Sequence, residues 1–135
     1  MRTALIGTDG RFSVGDHSDP VAEAGTHVVS VAAAGLGPTD LMRSAGFFGP
    51  VTAPYVPAGE GIGRLDDGRR VYFGHSRAPF GALGERTLVS DEEIWEAPDS
   101  LDDDQIVALG ISGTGALLPL EEARIAAGEN VLILG

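Results

Sequence analysis

The sequence contains no cysteine and no lysine. Without cysteine there is no disulfide and no thiolate metal site. Without lysine there is no Schiff-base nucleophile, no phosphate-loop lysine and no Ser-Lys dyad. Histidine is scarce, and His17, His27 and His75 do not fall at metal-ligand spacing, so no structural zinc is expected. Long hydrophobic runs are also missing. One of the longest uncharged stretches, Ile106 to Leu120, is broken by Gly110, Gly113, Gly115 and Pro119, whereas a membrane span needs about 20 predominantly apolar residues. The opening Met1-Arg2-Thr3-Ala4-Leu5-Ile6-Gly7 is too short an apolar run for a signal peptide, and Asp9 and Arg11 follow at once. A soluble, cytoplasmic protein is expected. Positive charge is in short supply too: nine arginines face 20 acids, for a net charge of −11. Such a surface repels phosphate backbones and anionic leaflets, so neither a nucleic acid nor a membrane is expected as partner.

What is present suits a folded domain. The 135 residues match the usual domain size of about 100–150. Hydrophobic residues at 43% and charged residues at 21% supply a core without the signature of disorder. Glycine, at 20 residues, is roughly twice its ~7% background, and its scatter points to turns, bulges and close backbone approaches.

Along the chain, Arg2–Gly7 and Arg11–Val14 predict a hairpin across Thr8-Asp9-Gly10. Thr26–Ala34 is β-branched and predicts a longer strand, stopped by Gly35-Leu36-Gly37-Pro38. Pro38–Arg43 suits one or two helical turns with proline near the start. Three prolines make Gly46 to Pro57 an irregular loop. Short strands are predicted at Glu60–Leu65, Arg69–Phe73 and Glu85–Val89, with turns at Asp66-Asp67-Gly68 and across His75–Gly84. This spacing suggests a small barrel or sandwich. The acidic run from Asp91 to Asp104 reads as a solvated loop and helix cap. A helix is predicted from about Asp102 to Ala123, kinked or restarted at Pro119. Finally, Val131-Leu132-Ile133-Leu134 is a continuous apolar run of the kind found in strands buried on both faces.

Several stretches, in order, resemble the N-terminal part of the medium-chain dehydrogenase/reductase superfamily. They are Val31-Ala32-Ala33-Ala34-Gly35-Leu36-Gly37-Pro38-Thr39-Asp40-Leu41, Pro54-Tyr55-Val56-Pro57-Ala58-Gly59-Glu60-Gly61-Ile62-Gly63, Asp67-Gly68-Arg69-Arg70-Val71-Tyr72, Gly84-Glu85-Arg86, Leu120-Glu121-Glu122-Ala123 and Gly128–Gly135. The resemblance implies a mainly β fold with C-terminal helices: a GroES-like β-barrel over residues 1–112, then a crossover helix and the first strand of an otherwise absent Rossmann domain over 113–135. Zinc-dependent members carry Cys and His where this chain has Gly37 and Gly59, so the resemblance is to zinc-independent, quinone-oxidoreductase-like members. Those often have Asn and Tyr where this chain has Gly37 and Phe48, which argues against a quinone as substrate.

Without zinc, hydride transfer to a carbonyl needs another donor for the developing oxyanion. Thr39 is one candidate; its alternative role is to cap the helix it begins. His75 is the other, as a proton donor near neutral pH, or else a plain loop histidine. Met42, Phe48 and Tyr55 are the candidate substrate-binding residues, with Tyr55 either lining a pocket or packing the barrel. Asp40 and Glu60 read as an internal polar network. Gly113 and Thr114, at the place of the family's Gly-x-Thr-Ala turn, are the cofactor-binding candidates. The expected activity is that of the catalytic part of a zinc-independent NAD(P)H-dependent oxidoreductase acting on a small carbonyl, enone or alcohol. The chain alone is expected to bind NAD(P) only weakly and to be inactive, completed by the Rossmann domain or a homo-oligomer. The alternative is a non-enzymatic β-barrel interaction module that pairs through its terminal apolar strand.

Overall fold

A computed structural model of the chain describes residues 1–52 and 54–134. The first two strands, β1 (Arg2–Ile6) and β2 (Phe12–Asp16), pair antiparallel from Arg2↔Asp16 to Ile6↔Phe12. Five more form one antiparallel sheet: β3 (Thr26–Gly35), β4 (Glu60–Arg64), β5 (Arg70–Phe73), β6 (Arg86–Ser90) and β7 (Ile94–Glu96), in the order β6-β3-β4-β5-β7. The sheet is curled. A bulge between Val31 and Ala33 bends β3, as an extra residue on one strand does, and the β1–β2 hairpin is clipped across the opening by bridges Thr3↔Gly84 and Ile6↔Tyr55. Glycine is required where the layers meet most closely. A Cβ on Gly63 would lie 2.1 Å from the Ser30 carbonyl oxygen, and one on Gly81 2.1 Å from that of Val56.

Inside the curl, Val29, Val71, Phe73 and Val89 are buried with Ala58, Leu65 and Ala82. Side chains of the larger kinds contribute about 1.5–3 kcal/mol each when fully buried. On the other face, α2 (Asp103–Ala108) buries Ile106 against Ile62 and Ala97. Its start is a capping box: Asp102 Oδ1 accepts the Gln105 N–H at 2.8 Å, and Gln105 Oε1 accepts the Asp102 N–H at 3.1 Å. Arg70 of β5 fastens the same end. Its Nε and Nη2 donate to Asp103 Oδ1 at 2.9 and 2.5 Å, and it also donates to the Pro98 and Leu101 carbonyls at 3.1 and 3.0 Å.

The mainly β fold with C-terminal helices is as expected; the details differ in three places. Strand β7 lies inside the acidic run, where Ile94 and Trp95 pair with Phe73 and Tyr72; local charge hid a partner supplied from elsewhere in the chain. The long helix breaks at Gly110 (φ −57, ψ −114) within the turn Leu109–Gly113, not at Pro119. That proline sits inside α3 (Thr114–Glu122), and the ladder resumes beyond it with the Ala123 N–H on the Pro119 carbonyl at 3.0 Å. The expected terminal strand has no pairing partner among the described residues: Leu132, Ile133 and Leu134 are each more than four-fifths exposed, and Gly135 lies outside the described residues. A strand needs a ladder neighbour, and no described strand lies beside this run.

Candidate active site

The site is assembled around the start of α1 (Pro38–Ser44). Pro38 sets the first helical φ without wasting a donor, and Asp40 closes the cap, its Oδ2 accepting the Gly37 N–H at 3.0 Å. The other carboxylate oxygen of Asp40 accepts the Ala58 N–H at 3.1 Å. Ala58 is buried and left-handed, with φ +68, a conformation that costs a non-glycine residue about 1–2 kcal/mol. It persists because both its polar groups are engaged: its carbonyl accepts the Ala82 N–H at 2.7 Å and the Ser76 hydroxyl at 3.2 Å. Strain held in this way accumulates at functional sites, and here it turns the chain into Gly59.

Around that turn lies a cleft of about 320 Å³, walled by Gly35, the Thr39–Asp40–Arg43 side of α1, residues 55–60, residues 74–76 and 78–80, and Ile111 with Ser112. Tyr55 is anchored through its backbone to Ile6, by bonds of 2.9 and 3.2 Å. Its hydroxyl is buried and has no hydrogen-bond partner among the described residues. Burial raises its pKa above the usual 10.0, against the pull of Arg43 and with a small push from Asp40. The phenol is therefore neutral at pH 7 and able to donate. An unsatisfied buried hydroxyl costs roughly 1–3 kcal/mol, a cost that a ligand oxygen in the cleft would remove.

Glu60 closes the far wall. Its Oε2 accepts the Tyr72 hydroxyl at 2.9 Å and the Ile111 N–H at 3.0 Å. Burial, then the bond to this carboxylate, drives the Tyr72 hydroxyl far above its ordinary range. A Cβ on Gly110 would stand 2.5 Å from the Tyr72 hydroxyl and 2.7 Å from Glu60 Oε2, so the helix break and the Glu60 contact depend on each other.

Thr39, Tyr55 and His75 share the cleft wall. The cap at α1 is made by Gly37 and Asp40, and the Thr39 hydroxyl makes no hydrogen bond among the described residues. His75 is exposed, with Nδ1 3.5 Å from where a Cβ on Gly59 would sit; its ring stands over the backbone of Gly59. Asp40 and Glu60 are engaged as the expected internal network. Met42 and Phe48 are exposed and do not line the cleft. At about 100° per residue, Met42 points roughly a third of a turn away from the middle of the Thr39–Asp40–Arg43 face. Phe48 lies past the helix end and packs edge-on against Phe47 at 5.3 Å. Gly113 and Thr114 also stand off the cleft, which Ile111 and Ser112 reach instead, because the break at Gly110 comes before them. Arg43 was legible but unread: one turn after Thr39, it shares that residue's face. Among the described residues there is no group of three metal-ligating side chains, and no helix is long and apolar enough to cross a membrane.

No family model matches the sequence, and comparison with curated proteins gives no match. Solved structures do match. A quinone oxidoreductase from Thermus thermophilus, also solved with NADPH, is 28% identical with a TM-score of 0.80, over 96% of this chain and 43% of its own. A probable oxidoreductase from Mycobacterium abscessus is 26% identical with a TM-score of 0.82, over 96% and 45%. A quinone oxidoreductase from Pseudomonas syringae shares the fold at 23% identity and a TM-score of 0.80, over 95% and 43%. The chain thus spans less than half the length of the structures it matches. It has the fold of the N-terminal part of quinone oxidoreductases of the medium-chain dehydrogenase/reductase family.

Proposed function

We propose that this chain forms the substrate-binding part of a zinc-independent, NAD(P)H-dependent oxidoreductase that acts on a small carbonyl, enone or alcohol. The buried, unpartnered Tyr55 hydroxyl in the wall of a 320 Å³ cleft carries this reading, supported by the oxidoreductases among the similar structures. A reduced nicotinamide, when bound, supplies the hydride to the substrate's electrophilic carbon. The chain's own task is on the oxygen, which gains the carbonyl π pair and then a proton. Tyr55 and Thr39 donate hydrogen bonds to that oxygen, and His75 delivers the proton. Such donors are typically worth about 2.7–4 kcal/mol of barrier each when preorganised.

The start of α3 does not fit the dinucleotide's phosphates. Gly113 is itself helical (φ −66, ψ −42), so the first amides of α3 continue the preceding turn instead of opening a donor set of the kind that binds phosphate at a helix start. The phosphates are assigned to residues outside this stretch.

Titration of the 135-residue chain with 2-cyclohexen-1-one, followed by NMR, tests the reading. Amide shifts are expected to cluster at Thr39, Tyr55, Gly59 and Ser76, and Y55F is expected to weaken binding about 5-fold, near the net worth of one hydrogen bond. Shifts elsewhere only, or unchanged affinity in Y55F, would overturn it. NADPH titrated the same way is expected to bind weakly, and a micromolar dissociation constant would refute the assignment of its phosphates.

A further inference from the structure

We infer that the cleft selects small carbonyl substrates that also carry a carboxylate, and that Arg43 is the residue that recognises it. This rests on the substrate-binding role proposed above and narrows it to one chemical class.

The argument begins with charge. Of the nine arginines, four, Arg11, Arg69, Arg70 and Arg86, each hold an aspartate within 4 Å and are spent on the protein's own acids. Arg43 has no such partner among the described residues, and it is the only arginine in the cleft wall. The wall's two carboxylates are occupied. Asp40 spends one oxygen on the Gly37 N–H and the other on the Ala58 N–H, and Glu60 Oε2 takes the Tyr72 hydroxyl and the Ile111 N–H. Each is part of the frame, tied to backbone it must hold, and neither pairs with the guanidinium. The wall therefore offers an incoming molecule two sets of unspent donors: the planar fork of Arg43 and the hydroxyls of Tyr55 and Thr39.

Those donors suit two different oxygens. A guanidinium fork matches the two oxygens of a carboxylate in one plane. A neutral phenol, buried and without a partner, matches a single carbonyl oxygen, where charge develops during reduction. Arg43 and Thr39 are one helical turn apart on α1, a rise of about 6 Å over four residues. A molecule with its carboxylate within two or three bonds of its carbonyl can reach both sets, and the 320 Å³ cleft has room for it. Because Arg43 is exposed, water screens the pair, and the discrimination expected is about tenfold rather than thousands.

The test compares 2-oxobutanoate with its uncharged isostere 2-oxobutanamide, each titrated into the full chain and followed by NMR at the Arg43 Nε–H and the amides of Thr39, Gly59 and Ser76. The acid is expected to bind about tenfold more tightly than the amide. R43Q, which keeps length and removes charge, should bring the acid down to the amide while leaving the amide unchanged; R43K should keep part of the preference, having the charge without the fork. Equal affinities in the wild-type chain would overturn the inference while leaving the proposed function standing. The same holds if R43Q weakens both probes alike, the mark of a structural role. If neither probe shifts the cleft residues, the inference and the substrate-binding reading beneath it both fall.

Discussion

Two regions of this chain are comparably apolar and meet opposite fates. In the strand-rich part, Val29, Ile62, Phe73 and Val89 are wholly buried. Beyond Gly110, Leu117, Leu118 and the run Val131–Leu134 are exposed, although that run is among the most continuously apolar in the sequence. The first set owes its burial to pairings between distant residues: β3 meets β4 and β6, and β5 meets β7. Burial is thus a property of a side chain together with the surface that faces it, and hydrophobicity alone does not predict it.

The comparison breaks or holds most sharply on one pair of truncations. F73A empties a wholly buried site and is expected to cost about 3–5 kcal/mol. L118A, at an exposed position of α3, should change stability by no more than about 0.5 kcal/mol. Urea unfolding of both variants reads the difference. A large loss in L118A would mean that α3 packs into the core in solution, and the contrast between the regions would collapse.

Legibility in the sequence follows the same line. The hairpin, the long strand and the glycine-cornered strands were readable because turn chemistry and alternation are local. So was Thr39 as a cleft residue, since Gly37, Pro38 and Asp40 announce a helix start. Strand β7 was not readable, because Ile94-Trp95-Glu96 becomes a strand only by meeting Phe73, Tyr72 and Val71. The break at Gly110 was misplaced for a related reason. Pro119 looks the stronger helix breaker on propensity, yet α3 tolerates it on an exposed helix, whereas Gly110 breaks the helix under the pull of the Ile111 N–H on Glu60, fifty-one residues back. Met42 stands off the cleft because of the direction in which it leaves α1, and Phe48 because it lies past the helix end.

Two glycines, one at that break and one beyond it, sharpen the contrast at smaller amplitude. In G110A the new methyl meets the Tyr72 hydroxyl and the Glu60 carboxylate, and such overpacking typically costs about 1–3 kcal/mol. In G115A the methyl meets nothing within 4 Å, and removing a helix-interior glycine is worth about 0.5–1 kcal/mol to the helix. Thermal unfolding should show G110A lowered, while far-UV circular dichroism should show G115A with more helix and the barrel's transition unmoved. A destabilised G115A would reveal a packed surface over α3. An unaffected G110A would show that the Glu60 contact does not hold the break.

The smallest effect concerns how the chain is tied down at its first residues, in contrast to residues 125–134, which have no strand or helix. The Met1 ammonium donates to the His17 carbonyl at 2.9 Å and to Asp19 Oδ1 at 2.7 Å, and Asp19 Oδ2 accepts Arg86 Nη1 at 3.2 Å. The bond to Asp19 raises the ammonium's pKa above 8.0, and the same bond lowers the carboxyl's below 3.8. A carboxyl lowered on folding lends stability above its unfolded pKa and loses it as pH falls through the folded value; an ammonium raised on folding lends stability below 8.0 and loses it as pH rises through the folded value. The difference in melting temperature between wild type and D19N should therefore form a plateau across neutral pH. It should close in acid, and in alkali it should close only in part, because Arg86 keeps its charge there. Exposure of Asp19 keeps the plateau low. A difference that stays constant from acid to alkali would show that Asp19 acts by shape and not by charge, and the contrast between a tied beginning and an untied end would then rest on backbone bonds alone.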